Sequence, residues 1–141
     1  MPITIATLQA KVSVNVPNKT NAKLIKDYDA FMDINRLSEA RRKNNLKAMT
    51  YYGTWLSKHF PNLTFAKVNS REKHILPFLN QYRKAPKDDP EELWVTTWND
   101  YRGRLIHFYR WLYNIRIPGK SYDEAPMEDW ETPEFVKVKK Q

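Results

Sequence analysis

The side chains that could do acid–base or metal chemistry are scattered along this sequence. Its three histidines, His59, His74 and His107, lie far apart, and none has a second histidine or a carboxylate at metal-ligand spacing. The sequence has no cysteine, which excludes disulfides, thiol catalysis and cysteine-ligated zinc. Three isolated glycines cannot form a phosphate-binding loop. We therefore expect no metal, no cofactor and no catalytic residue in this chain.

The carboxylates concentrate in an acidic loop with the sequence KDDPEE and in the C-terminal tail. A catalytic acid–base pair needs burial or a close like charge to shift its pKa, and a proline-containing acidic loop usually remains solvated. Asp89-Pro90 followed by two glutamates is instead typical of a helix start, with proline at the first position and acids in the first turn. We assign these carboxylates to helix capping and charge balance.

Positive charge is the strongest chemical signal in the sequence. The formal net charge is +8, and residues 36–84 carry eleven Lys/Arg against two Asp/Glu. Residues 101–120 carry five Lys/Arg and no acid. This segregation favours a polyanionic partner, because clustered cations attract phosphates. The competing interpretation is a solvated basic surface without a partner.

The cations cluster at two predicted helix starts, at Ser38 and at Thr97. A helix N-terminus offers free amides and a partial positive charge, short hydroxyl and amide side chains add neutral donors, and arginine adds bidentate ones. Cations in the first turn oppose the helix dipole, and an anionic partner would remove that conflict. The residues in these clusters are Arg36, Ser38, Arg41, Arg42, Lys43, Lys47, Thr96, Thr97, Asn99, Arg102 and Arg104.

The apolar periodicity predicts an all-α fold of four helices, which begin near Asn21, Ser38, Asn69 and Thr97. Proline at position 77 should kink the third helix or delay its start. Apolar residues at spacings of three and four predict inward faces on the first, second and fourth helices. The principal members of these faces are Leu24, Ile25, Tyr28, Phe31, Met32, Met49, Tyr52, Leu56, Phe60, Trp98, Tyr101, Leu105, Phe108 and Leu112.

The segments outside these helices lack sustained periodicity. Residues 1–20 read as a flexible or loosely docked arm, and residues 119–141 read as a linker. No apolar run approaches the roughly 20 residues that cross a membrane, and the N-terminus lacks the features of a signal peptide. We expect a cytoplasmic protein with no membrane partner.

The order and spacing of several residues in this helical region resemble the N-terminal core-binding domain of tyrosine recombinases, the phage-type integrases, particularly archaeal ones. In that family the first core helix starts with Ser/Thr, and the last opens with Ser/Thr, Asn, Arg and Leu before an aromatic-rich end. The matching positions are Ser38, Tyr51, Tyr52, Trp55, Leu56, Thr97, Asn99, Arg102, Leu105 and the stretch FYRWL at 108–112. The resemblance covers residues 21–118.

The resemblance implies a compact SAM-like four-helix bundle over residues 21–118 that forms half of a clamp around duplex DNA. It implies sequence-specific DNA binding in site-specific recombination and DNA integration, with other recombinase protomers as further candidate partners. The family contacts DNA from the starts of its first and last core helices. Carried onto this chain, those contacts fall on Ser38, Arg41, Arg42, Asn45, Thr97, Asn99 and Arg102.

The family's catalytic half, with its Arg–His–Arg cluster and nucleophilic tyrosine, has no counterpart in this sequence. This chain alone is therefore not expected to cut DNA, although its parent protein would be a recombinase. An alternative function is a helical protein-interaction module that uses exposed aromatics such as Trp111 and Tyr113 as anchors.

Overall fold

The predicted all-α class is confirmed by the computed structural model, which describes residues 3–68 and 70–115 except the side chains of 71, 114 and 115. The described residues contain no strand and form six α-helices instead of four. Their bounds are α1 Ile5–Asn15, α2 Lys19–Ile34, α3 Glu39–His59, α4 Arg71–His74, α5 Leu76–Asn80 and α6 Leu93–Arg110. The predicted linker, 119–141, lies outside the described residues.

The chain divides into two compact units, Met1–Val68 and Asn69–Gln141. The first unit contains α1, α2, α3 and a 3-10 turn at Phe65–Lys67. The second contains α4, α5, α6 and a π-helical turn at Trp111–Ile115 that continues from α6. The boundary falls inside the range 21–118 that the resemblance suggests as one domain.

The N-terminal segment is helical, so the expectation of a flexible or loosely docked arm over residues 1–20 is wrong for its described part. Thr4 caps α1 by accepting a hydrogen bond from the Thr7 amide at 3.1 Å. Leu8, Val12 and Val16 are buried, and α1 packs against both α2 and α3. The sequence IATLQAKVSVN has weak helical periodicity and β-branched residues, so tertiary packing outweighs its local preference.

The core of the first unit forms where the predicted inward faces of α2 and α3 meet. Ile25, Tyr28 and Met32 from α2 are fully buried, as are Met49 and Leu56 from α3. The apolar periodicity therefore identified this contact correctly.

The turn between α2 and α3 is a Schellman motif. The Leu37 amide donates to the Met32 carbonyl at 3.0 Å, and the Arg36 amide donates to the Asp33 carbonyl at 3.0 Å. Arg36 takes the left-handed position of this motif, with a φ of 57°. A non-glycine residue in that conformation costs roughly 1–2 kcal/mol.

The extended connector after α3 returns into the core of the first unit. The Phe65 ring stacks on Tyr52 with 5.6 Å between centroids. Buried Asn21 fixes this connector, because its side chain donates to the Leu63 carbonyl at 3.1 Å and accepts from the Phe65 amide at 2.8 Å. Gly53 lets the connector approach, since a Cβ there would lie 3.3 Å from the Phe65 ring.

In the second unit, the predicted effect of Pro77 is confirmed. The helical path is interrupted at Ile75, and α5 starts at Leu76 with the proline in its first turn. Before the interruption, His74 Nδ1 accepts from the Ser70 amide at 3.3 Å. Burial, with a smaller contribution from Lys73, lowers the pKa of His74.

Helix α6 begins at Leu93, so the expected start at Thr97 is wrong. The Asp89 carboxylate accepts from the Leu93 amide at 3.0 Å and from the Trp94 amide at 2.9 Å. These two bonds confirm the predicted capping role for Asp89, but its side chain is buried and not solvated as expected for the acidic loop. Its double cap moves the first turn four residues earlier than the start predicted at Thr97.

The predicted inward face of α6 is confirmed for four of its five members, and the fifth, Tyr101, is half-buried and stacks on Tyr82 with 4.7 Å between ring centroids. Trp98, Leu105, Phe108 and Leu112 are all buried. The Trp98 indole also donates to the Asn80 side chain at 3.1 Å, which ties α6 to α5.

Candidate nucleic-acid interface

Ser38 starts α3 as predicted. Its Oγ accepts a hydrogen bond from the Arg41 amide at 3.2 Å, while the Arg42 amide makes the first helical bond to the Ser38 carbonyl. One of the amides that could meet an anion at this helix end is therefore already satisfied within the chain. The side chains of the following turns, more than the backbone, decide what this region can bind.

Arg42 is held by carboxylates of α2. Its Nε and Nη2 donate to the two oxygens of Asp29, each at 3.0 Å, and its Nη1 donates to Asp33 at 3.1 Å. The Asp29 side chain is only 1% exposed and also accepts from the side-chain amide of Gln9 at 2.6 Å. The hydrogen bonds to Asp29 raise the pKa of Arg42. This guanidinium joins α3 to α2, Asp29 extends the network to α1 through Gln9, and Arg42 is not free for a phosphate.

Asn45 and Lys43 also have partners within the first unit. Asn45 is buried, and its amide nitrogen lies 3.3 Å from the Tyr28 hydroxyl and 3.3 Å from the Met32 sulfur. Lys43 lies 3.4 Å from Glu39, one turn earlier on α3. Asn45 therefore belongs to the core, and Lys43 keeps only a weak surface ion pair.

Two predicted cations remain available on the outer face of α3, which we define as Arg41, Asn44, Lys47, Tyr51 and Lys58. The spacings of three, four and seven residues place these side chains on one side of the helix. Arg41, Asn44, Tyr51 and Lys58 are exposed, and Lys47 is half-buried. No described residue forms an ion pair or a hydrogen bond with the side chain of Arg41, Asn44 or Lys47.

Thr96 and Thr97 lie on α6, in the second unit, and both are exposed. The early start of the helix puts Thr96 at the end of its first turn and Thr97 in its second, beyond the free amides expected at a helix N-terminus. The Asp89 carboxylate occupies the position at that end where an anion would bind. A phosphate site at the start of α6 is therefore not formed.

The remaining predicted residues of α6 are less available than the outer face of α3. Arg104 makes a bidentate pair with Asp100, in which both N–O distances are 2.9 Å. Arg102 and Asn99 are half-buried and interact with other residues, and burial lowers the pKa of Arg102. The α6 surface thus presents two threonine hydroxyls and a largely neutralised Arg–Asp pair.

Arg36, from the basic cluster at Ser38, and Lys11, which no prediction included, are both exposed in the first unit. Neither has a side-chain partner among the described residues. Arg36 lies two residues before Ser38 in the sequence and was recognised as part of the basic cluster. No pattern in the sequence pointed to Lys11 as a binding residue, because its segment was not identified as a helix.

The aromatic residues proposed as protein-binding anchors are buried or half-buried. Trp111 is 4% exposed and lies 5.6 Å from Phe108, centroid to centroid. Tyr113 is half-buried, stacks on Tyr109 at 5.4 Å, and burial raises its pKa to about 12. Trp111 cannot act as an exposed anchor in this conformation.

Within residues 3–68 and 70–115, no group of three or more His, Asp or Glu side chains is arranged to hold a metal ion. No helix in this part of the chain is long and apolar enough to cross a membrane. Comparison of the chain with protein-family models, curated proteins and solved structures returned no match.

Proposed function

We propose that this chain binds duplex DNA, in a sequence-specific manner, as the core-binding domain of a site-specific tyrosine recombinase. The observation that carries the proposal is the outer face of α3, where Arg41, Asn44 and Lys47 point outward without carboxylate partners among the described residues. The nearby acids of α2 cannot neutralise this face, because Asp29 and Asp33 are already paired with Arg42.

The shape of α3 supports the same proposal. With 21 residues, the helix is about 31 Å long, and an α-helix fits the major groove of B-DNA. Arginine can bind guanine or phosphate in a bidentate manner, and asparagine can bind adenine. Arg41 and Asn44 therefore supply two side chains capable of base recognition, while Lys47 adds attraction to phosphate.

The α6 residues have a smaller role in this proposal than in the sequence-based prediction. Thr96 and Thr97 are candidate neutral donors to phosphate, and Asn99, Arg102 and Arg104 are secondary candidates. Arg42 and Asn45 are left out, since their side chains hold the first unit together. Other recombinase protomers on the same DNA remain proposed partners.

In this proposal the chain recognises DNA without cleaving it. The resemblance to tyrosine recombinases assigns the catalytic cluster and nucleophile to a domain with no counterpart in the sequence. DNA integration would then belong to a parent protein that includes that domain, and a cytoplasmic location is part of the same proposal.

Binding can be tested by fluorescence anisotropy with a labelled 20-base-pair duplex at 50 and 200 mM salt. We expect binding that weakens steeply with salt, because each neutralised phosphate releases counterions. The salt slope is the steepness with which the logarithm of the binding constant falls with the logarithm of the salt concentration. Arg41→Gln should weaken binding and lower this slope by about 0.9, the value for one lost phosphate contact. Its melting temperature should match that of the wild type, because no described residue pairs with this side chain.

Lys67→Gln is the matched control. Lys67 is exposed in the 3-10 turn, has no described partner and lies outside α3. Lys67→Gln removes the same charge as Arg41→Gln and should change the salt slope by much less. The proposal fails if the wild type binds no duplex at 50 mM salt, or if the two substitutions weaken binding equally.

A further inference from the structure

A small cleft opens between α1 and α3, at one border of the outer face of α3. Its volume is about 150 Å³, and Leu8 forms part of its apolar wall. Lys11 and Asn15 reach it from α1, and Lys47 and Tyr51 reach it from α3. The cleft lies entirely within the first unit, and its two walls are held by the packing of α1 on α3.

The charges around the cleft are of one sign. Two lysines line it, and no carboxylate does. Neither Lys11 nor Lys47 forms an ion pair or a side-chain hydrogen bond with a described residue. Lys47 is also half-buried, and none of the residues that line the cleft offers it a counter-charge. An anion in the cleft would supply that counter-charge to both lysines.

The size and polarity of the cleft restrict the kind of anion. Typical small-molecule sites measure roughly 300–1,000 Å³, so this cleft is too small for a cofactor or nucleotide. It is large enough for a single phosphate group. Asn15 and Tyr51 add an amide and a phenol, which are neutral groups that commonly donate to phosphate oxygens.

We infer that this cleft binds one backbone phosphate of the DNA strand that flanks the outer face of α3. Lys11 and Lys47 provide the two positive charges, and Asn15 and Tyr51 orient the phosphate by hydrogen bonding. This inference rests on the proposed function and extends the DNA-binding surface from α3 onto α1, an element outside the range 21–118.

The test uses the full chain with the duplex-binding assay. The variant is Lys11→Gln with Lys47→Gln, and the matched control is Lys19→Gln with Lys67→Gln. Both control lysines are exposed, lack described partners and do not line the cleft. Loss of one phosphate contact lowers the salt slope by about 0.9. The ratio of variant to wild-type dissociation constants should therefore be about 3.5-fold larger at 50 mM than at 200 mM salt.

Three outcomes separate the inference from the proposed function. A slope change in the cleft variant and in Lys11→Gln alone, absent from the control, with binding recovered by Lys11→Arg and Lys47→Arg, supports the phosphate site. Equal slopes for the cleft and control variants, with wild-type binding intact and weakened by Arg41→Gln, overturn the site and leave the proposed function resting on Arg41 and Asn44. If the wild type binds no duplex, both the function and the site are overturned.

Discussion

At the scale of single residues, the local environment separates cations that sequence alone treats alike. Arg41 and Arg42 are adjacent, yet Arg42 is bound to two aspartates and Arg41 has no described partner. Asp29 and Asp33 are 13 and nine residues away from Arg42, on a different helix, so no short-range pattern reveals the ion pair. Ser38 could be identified as a cap because its partner lies three residues away.

The ion pair between Arg42 and Asp29 makes Arg42 a stability residue. We expect Arg42→Ala to lower the free energy of unfolding by about 3 kcal/mol, because it leaves the Asp29 carboxylate buried without its cation. Urea unfolding followed by circular dichroism measures this loss. Arg41→Ala provides the comparison and should change stability by less than 0.5 kcal/mol, as ordinary surface substitutions do.

A second substitution locates the source of that loss. In an Asp29→Asn background, the effect of Arg42→Ala should shrink, because the unpaired buried charge is no longer present. If Arg42→Ala is as mild as Arg41→Ala, the ion pair contributes nothing and Arg42 returns to the set of candidate DNA contacts.

At the scale of elements, the sequence identified helices with strong periodicity and missed those defined by tertiary contacts. The inward faces of α2, α3 and α6 follow from their apolar spacing. Helix α1 was missed because Leu8, Val12 and Val16 give it a narrow apolar stripe within a β-branched segment. The start of α6 was misplaced because Asp89 reaches its amides across four and five residues.

Two glycines inside helices should respond differently to alanine. Gly103 in α6 is exposed, and an added Cβ would meet no atom within 4 Å, so Gly103→Ala should raise the free energy of unfolding by roughly 0.5–1 kcal/mol. In α3, an added Cβ on Gly53 would lie 3.2 Å from Val16 and 3.3 Å from Phe65.

Overpacking at Gly53 costs roughly 1–3 kcal/mol, which exceeds the gain in helix propensity. Gly53→Ala should therefore lower the free energy of unfolding by about 1 kcal/mol. Urea unfolding of the two variants side by side gives the comparison. Equal stabilisation by both substitutions would show that α1 and the connector do not press against α3.

At the scale of the whole molecule, the segregation of charge along the chain could be predicted from the sequence. Which of those charges remain unpaired on the surface could not. The eleven cations of residues 36–84 include Arg42, which is neutralised internally, and Lys43, which has a weak partner. The available positive charge is therefore smaller than the count suggests. Lys11 partly offsets this loss. It lies in residues 1–20, the segment that was predicted to be an arm outside the helical domain.

The packing of α1 predicts that the chain will not tolerate loss of its N-terminal segment. Deletion of residues 1–17 removes Leu8, Val12 and Val16, and each buried side chain contributes about 1.5–3 kcal/mol. A total of this size is comparable with the stability of a small domain. We expect the shortened chain to lose its cooperative thermal transition, measured by circular dichroism, while Val14→Ala at an 80% exposed position changes little. An unchanged transition would show that α1 is dispensable.

The Asp89 cap also governs the chemistry of one peptide bond. Asp89-Pro90 is the sole Asp–Pro pair in the sequence, and acid cleaves such bonds when the aspartate carboxyl attacks its own carbonyl carbon. In the fold, that carboxylate is buried and accepts two amide hydrogen bonds, so the attack competes with the cap for the same carboxylate oxygens. Fragments ending at residue 89 would therefore record how often the first turn of α6 opens.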